Sequence, residues 1–206
     1  MRVRTQSCLI GLLMLALGTQ PRLAATKHQV EVPNANKKEV DVAHSKMTVH
    51  VYKSGLFSAF AHDHDIDAPI QSAQLTTSDQ DAAVALHVDV RKLRVRDAAE
   101  SESTRAKIQA TMLGAQVLDA DRFPEIRFQS NAIEPRGPDH WMVHGRLAMH
   151  GAERPIALEV ALKDDRYRGS ATLKQTDFGM TPVTIAGGSV KVKDDVKVEF
   201  EIALAK

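Results

Sequence analysis

The feature that most constrains this chain is an alternation of apolar and polar side chains with period two, repeated over most of its length. Met47, Val49 and Val51 share one parity; so do Ala82, Val84, Leu86, Val88 and Val90; so do Trp141, Val143, Leu147 and Met149. Ile156, Leu158, Val160 and Leu162 repeat the pattern, as do Val196, Val198, Phe200 and Ile202. Successive side chains of a strand point to opposite faces, so each run predicts a strand with one apolar and one wet face. Turn-forming clusters separate the runs: Pro135-Arg136-Gly137-Pro138-Asp139, His150-Gly151-Ala152-Glu153-Arg154-Pro155, Asp164-Asp165, Gly187-Gly188 and Asp194-Asp195. Short connections between alternating strands imply antiparallel hairpins, and many hairpins in one domain imply a sandwich or a closed barrel.

One segment departs from this period. Asp97-Ala98-Ala99-Glu100 reads as a capping box, Ile108 and Met112 fall on one helical face, and Gly114 is a stop signal. A single helix is therefore expected over about 101–114, interrupting the strands. Phe123-Pro124-Glu125-Ile126-Arg127-Phe128 then resumes as strand, with Pro124 suited to a strand start.

The N-terminal region has a different character. Arg2 and Arg4 precede an apolar run from Cys8 to Leu17, followed by Leu23-Ala24-Ala25. This pattern predicts a secretory signal peptide over residues 1–25 and a periplasmic protein. The apolar run is about half the ~20 residues a spanning helix needs, so no stable membrane span is expected. Residues 26–43 are polar and contain Pro33-Asn34-Ala35-Asn36-Lys37-Lys38, which predicts a flexible segment ahead of one folded domain at 44–206. The single cysteine, Cys8, lies in the leader, so the domain must be held together by its core alone. The net charge of +1 turns slightly acidic without the leader's arginines, and no basic stripe is available to neutralise phosphates. Nucleic acid is therefore not an expected partner.

The densest polar cluster is His62-Asp63-His64-Asp65. In an extended chain His62 and His64 project from one face and the two aspartates from the other. Three readings stay open at this stage. The His-Asp steps could pair locally at a barrel rim, since half-buried polar groups need partners. His62 or His64 could meet a ligand headgroup at the barrel mouth. The two imidazoles could hold a metal if a third ligand arrived from elsewhere, although no spacing is diagnostic and no metal ligand is assigned. No serine sits in a nucleophile elbow, and Asp177-Phe178-Gly179 lacks the glycine-rich and catalytic loops of a kinase. No catalytic residue and no cofactor are assigned, and the chain is read as a non-enzyme.

Three stretches occur together and in order: Arg122-Phe123-Pro124-Glu125-Ile126-Arg127-Phe128; Val143 through Ile156 with its His150-Gly151-Ala152-Glu153-Arg154-Pro155 turn; and Lys174-Gln175-Thr176-Asp177-Phe178-Gly179-Met180 ahead of Gly187-Gly188 and the closing strand. With them the chain resembles the YceI-like family of exported lipid-binding proteins from about residue 44 to its end. The resemblance implies an all-β fold, a lipocalin-like eight-stranded antiparallel β-barrel with the helix near one end. It also implies a carrier whose lumen holds an amphipathic small molecule such as an isoprenoid, fatty acid or fatty amide. Phe57, Phe60, His62, His64, Met112, Phe123, Phe128 and Phe178 are the candidate ligand-binding residues on this reading. The alternatives are a histidine-dependent metal or redox accessory, and a barrel with a filled core that acts through a protein partner. A homodimer is left open by the sequence.

Overall fold

The computed structural model describes residues 36–55, 63–77, 82–98, 100–185, 187 and 189–205. The expected signal peptide lies outside them. In chain order the elements are β1 (Asn36–Ser54), β2 (His64–Asp67), β3 (Ile70–Thr77), β4 (Ala82–Asp89), β5 (Arg94–Val95) and helix α1 (Glu102–Leu113). Then follow β6 (Glu125–Gly137), β7 (His140–Met149), β8 (Ala152–Lys163), β9 (Arg166–Lys174), β10 (Thr184–Ile185) and β11 (Val190–Leu204).

Eight of these strands form an antiparallel barrel in the order β1-β3-β4-β6-β7-β8-β9-β11, and β11 returns to β1 to close it. The closing register places Met47 opposite Phe200, Val49 opposite Val198 and Val51 opposite Val196, so the apolar parities of both strands face the same interior. Short β2, β5 and β10 extend the sheet beside this ring. β1 is long enough to pair with β3 through Asn36–Glu39 and with β2 through Thr48–Val51. The break between β2 and β3 falls at Ala68-Pro69; Pro69 has no N–H to donate, whereas Ala68 N–H reaches the Met47 carbonyl at 2.9 Å.

Three expectations are corrected here. The flexible segment was expected to reach residue 43, but β1 begins at Asn36: residues 36–39 pair with β3, and Val40 and Asp41 pair with β11. A polar sequence can form a strand where a partner supplies the ladder and only alternate side chains are buried. Asp194-Asp195 is not a turn but lies inside β11, with Asp195 paired to Lys174. The helix is capped by Ser101, whose side chain accepts from Thr104 N–H, and not by the Asp97–Glu100 box. Asp97 has other partners.

The tight turns are as the residues imply. Asp164 and Asp165 both take positive φ in the two-residue β8–β9 hairpin, and His150-Gly151 does the same between β7 and β8. α1 lies at one end of the barrel, where Met112 is buried with Ile66, Ala68, Val88 and Leu93. The second core group, at Phe128, Val143, Leu147, Met149, Phe178 and Met180, is continuous with that end through Leu118 and Ile126.

Candidate ligand cavity

The interior is not filled. A cavity of about 400 Å³ runs through the barrel, walled by inward residues of all eight barrel strands together with Met112 of α1 and Val117 and Leu118 after it. Its wall is aliphatic apart from Phe128, Trp141, Tyr167 and Phe200, and its polar side chains are Gln74, Gln175, the Tyr167 hydroxyl and the Trp141 indole N–H. Among the described residues, no Asp, Glu, Lys, Arg or His lines it. That volume is within the range of small-molecule sites.

The two ends of the cavity differ. At the α1 end the wall residues Ile66, Leu93, Met112, Met149, Gln175 and Met180 are buried. At the opposite end Val40, Leu75, Trp141, Tyr167 and Leu204 are half-buried and Gln74 and Ala82 are exposed. The lumen is thus stopped by the helix and the turn at Gln175–Phe178, and reaches solvent at the other end.

A larger groove of about 730 Å³ lies on the outer face of β7, β8, β9, β11 and β1, and is lined by Lys46, Arg136, Glu159, Arg168, Glu199 and Glu201 among others. Several of its charges are paired: Arg168 meets Glu201 at 3.0 Å, and Glu199 meets the neighbouring Lys197 at 2.5 Å. The Lys197 ammonium, and next the His50 ring, hold the Glu199 carboxyl below its ordinary range. The outer groove is a solvated ion-pair surface, whereas the lumen is an apolar space closed at one end.

Residues 38–204 match the YceI-like domain family. The chain belongs to the YceI-like family. Relatives include a UPF0312 protein of Shewanella putrefaciens, 24% identical over 97% of this chain and 98% of its own length. Another UPF0312 protein, from Shewanella oneidensis, is 23% identical over 78% of this chain and 84% of its own. The fold is similar to the crystal structure of Burkholderia cenocepacia BcnA, with a TM-score of 0.64 and 20% identity over 81% of this chain and 99% of that one.

In this YceI-like protein the candidate residues separate into three groups. Met112 and Phe128 line the lumen. Phe123 and Phe178 do not. Phe123 packs outside, its ring 4.8 Å from that of His150 and with the Arg122 guanidinium 5.0 Å from its centroid. Phe178 is only 2% exposed and packs within the core, while its carbonyl accepts from His150 Nδ1 at 2.9 Å. Local pattern cannot separate these three phenylalanines, because a turn residue such as Phe123 is aimed by the hairpin it meets. Phe57, Phe60 and His62 lie outside the described residues.

His64 is beside the lumen wall and not in it. Its Nδ1 is 2.5 Å from Asp97 Oδ2, and Asp97 Oδ1 accepts the Asp65 N–H at 3.1 Å. His64 is thus paired, but not locally as the His-Asp steps suggested: its carboxylate comes from Asp97, just after β5, and Asp65 pairs with His50. The ring of His50 likewise spans two carboxylates, with Nδ1 2.7 Å from Asp65 and Nε2 3.2 Å from Glu199. Among the described residues no group of three His, Cys, Asp or Glu side chains is placed to hold a metal ion.

The aromatic and polar wall residues Trp141, Phe200, Tyr167 and Gln175 were not among the candidates. Trp141 and Phe200 were legible as the inward parity of β7 and β11, but an inward parity alone does not separate core from lining. Tyr167 and Gln175 carry no such signal. Alternation from Leu173 turns Gln175 inward, and the turn it begins is held from β11: Asp194 accepts Thr176 N–H at 2.9 Å and the Thr176 hydroxyl at 2.7 Å. Those two bonds, the hydroxyl first, lower the Asp194 pKa from its ordinary value.

Proposed function

We propose that the protein is a non-enzymatic periplasmic carrier that sequesters one amphipathic long-chain molecule in its lumen. The observation that carries this reading is the apolar cavity of about 400 Å³ inside the barrel, closed at the α1 end. Burial of a chain in such a space is favourable by about 0.8 kcal/mol per methylene, enough for several methylenes to offset the cost of immobilising the ligand. Two further points support it. Charged residues such as Arg166, Arg168, Lys197 and Glu201 face outward and aliphatic ones inward, the reverse of a barrel whose outer face meets lipid. Among the described residues no helix is long and apolar enough to cross a membrane. Export through the residue 1–25 leader would bring the chain to the periplasm.

The test is native mass spectrometry of the exported protein purified without detergent, followed by organic extraction. A discrete extra mass that leaves into solvent is the expected result, and the same spectrum reports whether two copies pair. A chain that stays apo in every preparation, and that gives no saturable binding of the neutral dye N-phenyl-1-naphthylamine, would overturn the reading. Ala171 lines the cavity, so Ala171→Phe is the matching control: a filled lumen should lose dye and native ligand together.

A further inference from the structure

We propose that Gln175 is the polar anchor of the lumen, and that its amide oxygen accepts a hydrogen bond from the uncharged donor end of the ligand, which therefore enters head first. This rests on the carrier reading above and goes beyond it by naming the headgroup class and its orientation: a hydroxyl or amide N–H on an aliphatic chain.

The position of Gln175 is the first argument. It lines the cavity, is 7% exposed, and stands at the buried end beside Met180 and Val196, both buried wall residues. Gln74 and Tyr167, by contrast, belong to the end that water reaches.

The second argument is the chemistry of its amide. The Nε2 group donates to the Lys193 carbonyl at 2.8 Å. A carbonyl can only accept, so this bond determines which end of the amide points at β11. Oε1 is left as the free acceptor, with no hydrogen-bond partner among the described residues. It is not fully enclosed by protein, and in an apolar lumen a donor carried in by the ligand is the partner that suits it.

Rigidity is the third. Gln175 opens a single 3-10 turn that ends at Gly179 in the left-handed region (φ 75°), and Asp194 clamps the neighbouring Thr176 twice. The acceptor is thus preorganised, so little ordering is lost when a ligand donor reaches it.

Finally, no Asp, Glu, Lys, Arg or His lines the cavity among the described residues, which selects against a charged head at this end. A carboxylate or ammonium buried there would lose its hydration without a counter-charge. A fatty acid would have to leave its head at the half-exposed end.

The experiment loads the mature chain with N-phenyl-1-naphthylamine and displaces the dye with dodecan-1-ol, dodecanamide, dodecanoate and 1-methoxydodecane. The methyl ether keeps the chain and an oxygen but has no donor. The alcohol and amide should displace dye at roughly five-fold lower concentration than the ether or the carboxylate, the size of one net hydrogen bond. Gln175→Met and Gln175→Leu should bring the alcohol-to-ether ratio to one while dye binding persists, an outcome that mere loss of the Lys193 bond would not produce. In the wild type, the Gln175 side-chain amide resonance should shift with dodecan-1-ol and stay in place with the ether, which holds the test open if the variants fold poorly. Equal alcohol and ether affinities, an unmoved ratio in the variants, or a preference for dodecanoate would overturn the anchor and leave the carrier reading standing. A dye that never binds would overturn both.

Discussion

The ring of Phe128 occupies the space that a β-carbon on Gly145 would need: an ideal Cβ there would lie 2.5 Å from Phe128 Cζ. Phe128 on β6 is the diagonal neighbour of Gly145 on β7, since Ser130 is directly opposite the glycine. At Gly169 an ideal Cβ would lie 2.5 Å from Cζ of Phe200, here the residue directly opposite, and at each glycine it would also lie 2.5 Å from a backbone carbonyl oxygen, of Gln129 and of Glu159 respectively. In both places a strand glycine leaves room for a cross-strand aromatic, and both rings line the lumen. Gly145→Val and Gly169→Val should each lower stability by about 1–3 kcal/mol, the usual range for an overpacked site, and weaken dye binding by displacing the ring. Urea unfolding and dye titration check this; a variant with unchanged midpoint and affinity would show that the rings can move without cost.

Gln109 ties the helix to the end of the barrel. Its Oε1 accepts Val95 N–H at 2.9 Å and its Nε2 donates to the Leu93 carbonyl at 2.8 Å, which the Arg94 guanidinium also reaches at 2.8 Å, so one side chain bridges both ends of the short β5 edge. Gln109→Leu should cost about 1–3 kcal/mol, chiefly for the Val95 N–H left unpaired. The loss should be local first, with amide hydrogen exchange faster at Val95 than at Val143 in the barrel wall.

His64 offers a clean separation of structural from ligand-binding roles. Asp97 has a side chain only 7% exposed, and His64→Ala would leave its Oδ2 without that partner. Thermal or urea denaturation should show a loss of about 1–3 kcal/mol. Dye affinity should stay within error of wild type, because His64 does not line the lumen. A ligand-selective defect with unchanged stability would restore His64 as a headgroup contact.

Asp194 should mark one part of the acid response. Its pKa is lowered from 3.8 by the Thr176 hydroxyl and then the Thr176 N–H. A depressed carboxylate contributes stability that is present above its ordinary value and lost as pH falls through the lowered folded-state value. Asp194→Asn should therefore lower the melting temperature at neutral pH. It should also flatten the further drop expected of the wild type as pH falls below 3.8. Melting curves that keep the wild-type pH slope in the variant would assign the acid response to other carboxylates, Glu199 first among them.

The residues by themselves determined the strands and their two faces. Trp141, Val143, Leu147 and Met149 face inward because parity is a local property of an extended chain, and Asp164-Asp165 turns because two short polar residues tolerate positive φ. The helix, too, was legible to within a residue, although its cap was not: Asp97 and Ser101 are both good caps, and only the folded chain shows Asp97 taken by His64 and the Asp65 N–H. Tertiary structure alone decided the rest. Whether Val49 meets Val198, how far β1 runs before Ser54, and whether the closed ring leaves a space of about 400 Å³ depend on register and stagger between strands distant in sequence. The same holds for the site: Phe123, Phe128 and Phe178 are chemically identical, and Gln175 is one polar residue among many, until long-range pairing sends one ring outward, one into the core and one to the wall, and leaves one amide oxygen free.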